Sequence, residues 1–208
     1  MSALLIGAGV IAVATITPGP NNLLVMRIAA RSGFVSALPA VAAIVAGGLG
    51  MWAMVAAGAS TAFQTVPHLY ALMTLAGGAY LCWMGARLVL ETLRPPEKRV
   101  PTPTSVRQGS VVALFCFQFV NPKSWVLVLT VTAVVGNGAE PLRTSLVLAA
   151  AFTVISALCL ALWCAMGVSM MRHLDTTAAR NWIDRVMGAL LFASALLLVL
   201  APADMPSA

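Results

Sequence analysis

Long apolar runs alternate along this chain with short polar connections. Crossing the hydrocarbon core of a bilayer takes about twenty helical residues. Six runs meet that length: roughly 3–27, 36–59, 69–93, 109–135, 144–168 and 183–201. The pattern predicts an all-α integral membrane protein with six transmembrane helices. Two runs carry a polar interruption, Thr17-Pro18-Gly19-Pro20-Asn21-Asn22 in the first and Asn121-Pro122-Lys123 in the fourth. Thr17 and Asn121 are residue types that cap helix N-termini. Each precedes a proline, whose missing N–H falls among donors that have no partner at a helix start. The first and fourth helices are therefore expected to be broken and to restart at Pro18 and Pro122. Pro18 lies about fifteen residues into its run and Pro122 about thirteen into its own, which puts both near the membrane midplane.

The connections set orientation. Arg27 and Arg31 follow the first run; Arg87, Arg94, Lys98, Arg99 and Arg107 surround the third connection; Arg172, Arg180 and Arg185 surround the fifth. The second and fourth connections hold only Arg143, while Lys123 lies inside a run. Basic residues accumulate on the cytoplasmic side, so both termini are expected outside. The chain reads as one transmembrane domain over 1–208. Segment 94–108, with Pro95, Pro96, Pro101 and Pro103, is a stiff basic cytoplasmic linker within reach of anionic lipid headgroups. It separates two three-span halves, about 3–93 and about 109–201. Three is odd, so the second half enters from the opposite side and a repeat between the halves must be inverted. Gly78-Ala79-Tyr80-Leu81 in the third run parallels Gly188-Ala189-Leu190-Leu191 in the sixth.

Composition removes the soluble alternatives. The chain is 61% hydrophobic and 9% charged, with a mean hydropathy of +0.96, whereas soluble domains are about a quarter charged. The net charge of +6 then reads as topology and not as affinity for nucleic acid. Ala12-Val13-Ala14 imitates a signal cleavage site, but no basic stretch precedes it, and the first span is expected to be retained. Cys82, Cys116, Cys159 and Cys164 sit in apolar runs without a C-x-x-C pair and read as small buried residues. His68 and His173 fall in connections without a partner pattern. No metal site and no cofactor is expected.

The breaks carry the candidate chemistry. In an inverted arrangement the half-helices starting at Thr17 and Asn121 face one central region from opposite sides. Their N-termini present unpaired N–H groups and partial positive charge, which suit a carboxylate. The carbonyls freed at the ends of the preceding half-helices suit an ammonium. A site with both poles suits a zwitterion such as an amino acid. Lys123 is an ionisable group in mid-span, where charge is costly; it is a candidate for substrate recognition, for proton coupling, or for a structural bond to freed carbonyls. Asn21 and Asn22 are read as caps or ligands, and Gln118 as pore lining or a helix-to-helix hydrogen bond. Tyr80 and Trp83 are placed either in the cavity or in packing. Gly47, Gly48 and Gly50, with Ala42 and Ala46, form a small face for close helix packing, within the chain or across a homodimer. Mid-span positions hold no aspartate or glutamate.

At Thr17-Pro18-Gly19-Pro20-Asn21-Asn22, Gly78-Ala79-Tyr80-Leu81 and Phe119-Val120-Asn121-Pro122-Lys123 the chain resembles the lysine exporter (LysE/RhtB) family of bacterial amino-acid effluxers, in order and spacing over essentially its whole length. The resemblance implies six spans in the cytoplasmic membrane and export of amino acids or close derivatives, driven by the proton-motive force, often as a dimer. Phe117-Gln118-Phe119-Val120-Asn121 looks most like the cysteine/O-acetylserine branch. The absence of a mid-span acid argues against a dibasic substrate. The expected function is export of small neutral amino acids, with Thr17, Pro18, Gly19, Pro20, Asn21, Asn22, Gln118, Asn121, Pro122 and Lys123 at the substrate site and no enzymatic activity. Two rivals remain: a membrane thiol-disulfide oxidoreductase, for which Cys116 lies close to Pro122, and a metal-ion exporter.

Overall fold

In hydrocarbon every backbone polar group must find its partner inside the protein, and a helix satisfies its own. The structure, a computed structural model, describes residues 2–59, 69–93, 108–136, 141–173 and 177–200. Among these residues the only regular structure is helical. The helices are α1 (Ser2–Ile16), α2 (Pro20–Ser32), α3 (Phe34–Met54), α4 (Leu69–Leu93), α5 (Gln108–Val120), α6 (Pro122–Gly136), α7 (Pro141–His173) and α8 (Thr177–Leu200). A π-helical turn, Val55–Ala59, extends α3 and carries Gly58 at φ 97°. The bulk of the linker at 94–107, the second connection with His68, and the tail from 201 lie outside the described residues.

The segments follow the apolar runs. Among the described residues two helices are long and apolar enough to cross a membrane, 34–58 and 142–171. Two bent pairs meet the same test as units: α1 with α2, bent by 53°, and α5 with α6, bent by 62°. Both expected breaks are thus present. Helix α4 holds a shorter apolar stretch over 74–90. Over its most apolar stretch α3 is 56% buried and α7 only 28%, so α3 runs through the middle and α7 turns a broad face outward. That face carries Leu146, Val154, Leu158, Leu162 and Met166, all exposed. Apolar exposure on this scale marks a surface made for an apolar surrounding.

Lipid tails are as apolar as leucine, so helices in a bilayer associate through close backbone approach and polar ties. Both are visible. A Cβ on Gly167 of α7 would lie 2.2 Å from the Met26 carbonyl oxygen of α2. Gly85 of α4 and Gly188 of α8 meet reciprocally, each backbone oxygen 2.9 Å from where the other's Cβ would be. The small face of α3 packs within the chain: a Cβ at Gly47 would meet Gln118 and the Phe115 carbonyl, and one at Gly48 the Phe152 ring.

The main polar tie sits at Asp184 of α8, 1% exposed. Arg27 Nε donates to its Oδ1 at 3.1 Å and Arg31 pairs with its Oδ2. One helix over, Arg185 Nε donates to Thr92 Oγ1 of α4 at 3.0 Å. The C-terminal ends of α2 and α4 therefore gather with the first turns of α8 at one end of the molecule. A carboxylate this deeply buried needs such pairing to remain charged.

Candidate functional site

The first break begins at a proline constraint. A residue before proline is pushed out of the α region by the ring. Thr17 precedes Pro18 and Gly19 precedes Pro20, so α1 stops at Ile16 and the chain cannot resume a helix until Pro20. Gly19, in an extended conformation at φ −162° and ψ 177°, is the N-cap, and its carbonyl accepts the Leu23 N–H at 3.0 Å. Pro20 holds the first helical position. This corrects the expectation of Thr17 as cap and Pro18 as first residue. Thr17 turns its hydroxyl backward instead, donating to the Val13 carbonyl at 2.7 Å. Thr17 and Pro18 are exposed, whereas Gly19 and Pro20 are buried.

The second break needs a single residue. Asn121, 2% exposed, caps α6 as its sequence indicates: its Oδ1 accepts the Lys123 N–H at 3.2 Å, and Pro122 takes the first helical position. The freed carbonyls of α5 are met locally. Gln118 O accepts the Asn121 N–H at 3.2 Å, and Phe119 O accepts the Trp125 indole N–H at 2.9 Å. Helix α4 closes on the joint at Gly77, where a Cβ would lie 2.3 Å from Val120 O.

The two breaks are joined to one another. Asn21 Nδ2 donates to Gln118 Oε1 at 2.9 Å and Gln118 Nε2 returns a bond to Asn21 Oδ1 at 3.1 Å. Gln118 also donates to Leu114 O at 3.1 Å and accepts from Ser124 Oγ at 3.1 Å. With both amide hydrogens and both lone pairs engaged, it is a helix-to-helix tie. Asn22 Nδ2 donates to Thr15 O at 2.9 Å and Thr17 O at 3.0 Å, covering the open end of α1. Lys123 reaches from the second break to the first, its Nζ donating to Thr17 O at 2.9 Å and approaching Thr17 Oγ1 at 3.4 Å. The absence of a side chain at Gly19 makes room for it, since a Cβ there would lie 2.9 Å from Nζ.

Between the breaks lies a cavity of about 60 Å³, several times what one water occupies by the same measure. Gly19, Pro20, Asn21, Asn22, Gln118, Asn121 and Lys123 line it, so seven of the ten expected site residues converge on one space. Thr17 stays in contact through its carbonyl on Lys123, while Pro18 and Pro122 shape the breaks without lining the cavity. Sequence reasoning missed lining residues from two other helices, Ile44 of α3 and Phe152, Ser156 and Leu160 of α7. These three α7 residues recur at four-residue spacing on one helix face, and a serine within that apolar run was the available signal. It missed Ser124 and Thr15 as well. Tyr80 and Trp83 are not part of the site. Tyr80 packs on Phe117, with ring centroids 4.8 Å apart, and Trp83 faces outward beneath Arg87.

The cavity's chemistry is two-sided. The break residues offer amides, hydroxyls and an ammonium, the rest of the lining is largely aliphatic and aromatic, and among the described lining residues none is acidic. The four cysteines are unpaired, and Cys159 and Cys164 are buried. Among the described residues no three histidine, cysteine or acidic side chains converge as metal ligands do.

No curated protein and no solved structure matches the chain. A family model described as LysE type translocator matches residues 12–201, a span that includes both breaks and every residue lining the cavity. The chain belongs to the LysE type translocator family, and is a multi-pass membrane transporter of amino acids or similar molecules.

Proposed function

We propose that this protein exports small neutral amino acids from the bacterial cytoplasm, driven by the proton-motive force, by alternating access around the two facing breaks. The observation that carries the reading is the bond from Lys123 Nζ to Thr17 O. An ammonium donated by one broken helix rests on the open carbonyl end of the other, inside a cavity with polar groups from both. A substrate ammonium takes the place of Lys123 on the α1 carbonyls, and the released lysine meets the substrate carboxylate. The lack of an acidic side chain in the lining supports a neutral substrate, because a second cationic group would find no counter-charge.

Six spans in two inverted halves are the architecture this mechanism calls for. In support, α3 packs on α5 as α7 packs on α1, and the third helices of the two halves, α4 and α8, pack on each other. Gly85 lies 65 residues after Pro20 and Gly188 lies 66 after Pro122. Their reciprocal contact supports a register that pairs Gly85, rather than Gly78, with Gly188. The clustering of Arg27, Arg31 and Arg185 at one end supports a cytoplasmic location for that end, with both termini outside.

The test is a comparison of amino acids in the medium of cells overexpressing the chain and of cells carrying an empty vector. Selective accumulation of a neutral amino acid, abolished by a protonophore, is the expected result. An unchanged amino-acid profile, or one dominated by lysine and arginine, overturns the reading.

A further inference from the structure

Hydroxyls in apolar helices ordinarily bond back to a carbonyl one turn earlier. Thr15, Thr17, Thr132 and Thr153 all do so, at 2.7 to 2.9 Å. Ser156 of α7 does not. It is 4% exposed, its Oγ has no hydrogen-bond partner, and it lines the cavity. Thr74 of α4 shares the missing partner but does not line the cavity. Leaving a buried hydroxyl unpaired is unfavourable, and a ligand atom bonding to it removes that cost.

The surroundings of Ser156 identify what that atom belongs to. Phe152 and Leu160 flank it one turn away on either side, and Ile44 of α3 lines the same cavity. The groups able to hold an ammonium and a carboxylate lie at the breaks, on α1, α2 and α6. A substrate anchored there by its charged ends turns its side chain toward α7, where the wall is apolar except at one hydroxyl.

We propose that Ser156 reads the substrate side chain, selecting amino acids whose short side chain carries one hydrogen-bonding atom over apolar side chains of the same shape. The proposal rests on reading the cavity as an amino-acid site. A pocket built to bond a polar atom rejects the analogue that lacks it, because its own polar group is then left unpaired.

Threonine and valine test this, since they differ by a hydroxyl in place of a methyl. The full-length protein is reconstituted in liposomes, and counterflow of each labelled amino acid is measured. The wild type is expected to favour threonine by about tenfold, the range of one hydrogen bond. In Ser156→Ala that ratio falls at least about fivefold, through loss of threonine flux with valine flux retained. Ser156→Cys, near-isosteric with a weak donor, gives an intermediate ratio and serves if the alanine variant inserts poorly. A purely structural role lowers both fluxes together and leaves the ratio unchanged, which overturns the proposal. A wild type that carries neutral amino acids without distinguishing the pair also overturns it, while the transport reading stands. A wild type that carries none of the twenty common amino acids overturns both.

Discussion

The two breaks are built from the same residue types and solve the same problem in opposite ways. At the second, a single residue separates the half-helices, and its bonds come from α5 and α6 themselves: Asn121 caps forward, Trp125 reaches back to Phe119 O, and Ser124 bonds Gln118. Helix α4 then seals it at Gly77. At the first, three residues separate the halves, and the carbonyl end of α1 is met by Asn22 from α2 and, in addition, by a donor from outside the pair, Lys123 of the opposite break. A joint satisfied by its own helices is stiff. A joint satisfied by a flexible lysine can exchange that lysine for another ammonium. Under the proposed lysine exchange, the second break is the fixed hinge and the first the adaptable site.

Lys123→Ala separates the two most sharply. It removes the Lys123 tie from the second break to the Thr17 carbonyl while leaving the Asn121 cap intact. Transport in vesicles is expected to fall about a hundredfold, the scale of a charge-assisted hydrogen bond, with membrane insertion unchanged. Near-normal flux through the inserted variant would remove lysine exchange from the mechanism. Gly77→Ala strikes the stiff joint. Its Cβ meets backbone oxygen, which cannot rotate away, so α4 must shift at a cost of about 1–3 kcal/mol. Thermal unfolding in detergent reads this, and an unaltered midpoint would show that the second break yields as easily as the first.

Asn22→Ala leaves the Thr15 and Thr17 carbonyls short of a donor and should cost about 1–2 kcal/mol. Because Lys123 then carries more of the load, the double variant with Lys123→Ala is expected to lose more stability than the two single losses added together; simple additivity would argue against a shared function. Gly19→Ala is the mildest. Its extended backbone suits any residue, and its Cβ meets only the tip of a flexible side chain. Stability should stay within about 0.5 kcal/mol, while transport drops about tenfold because the ammonium is displaced from its seat. A transport rate equal to wild type would show that the position of Lys123 over the break does not matter.

Much of this was legible before any coordinates. The helical segments follow the apolar runs because hydrocarbon leaves the backbone little choice. The breaks stand where proline and asparagine put them. The starting residue of α2 is written in the sequence too, in the pair of prolines at 18 and 20. Two prolines two apart force both preceding residues out of the helix, so the restart waits for Pro20, and a threonine with carbonyls behind it bonds backward rather than capping forward. Asn121, by contrast, has one proline after it and caps as its sequence indicates.

What the sequence determined by itself is local: the helical segments, the break positions and the cap at Asn121, each set by a residue and its near neighbours. What only the tertiary structure decided is which distant partner meets each exposed group. Lys123 finds the carbonyl of Thr17, Gln118 finds Asn21, Asp184 finds Arg27 and Arg31, and Gly188 finds Gly85. Ser156 finds none and faces the cavity. Such pairings depend on how the helices cross, and in a bilayer the crossing is set by where small residues let backbones touch, an interaction between chain segments far apart in sequence.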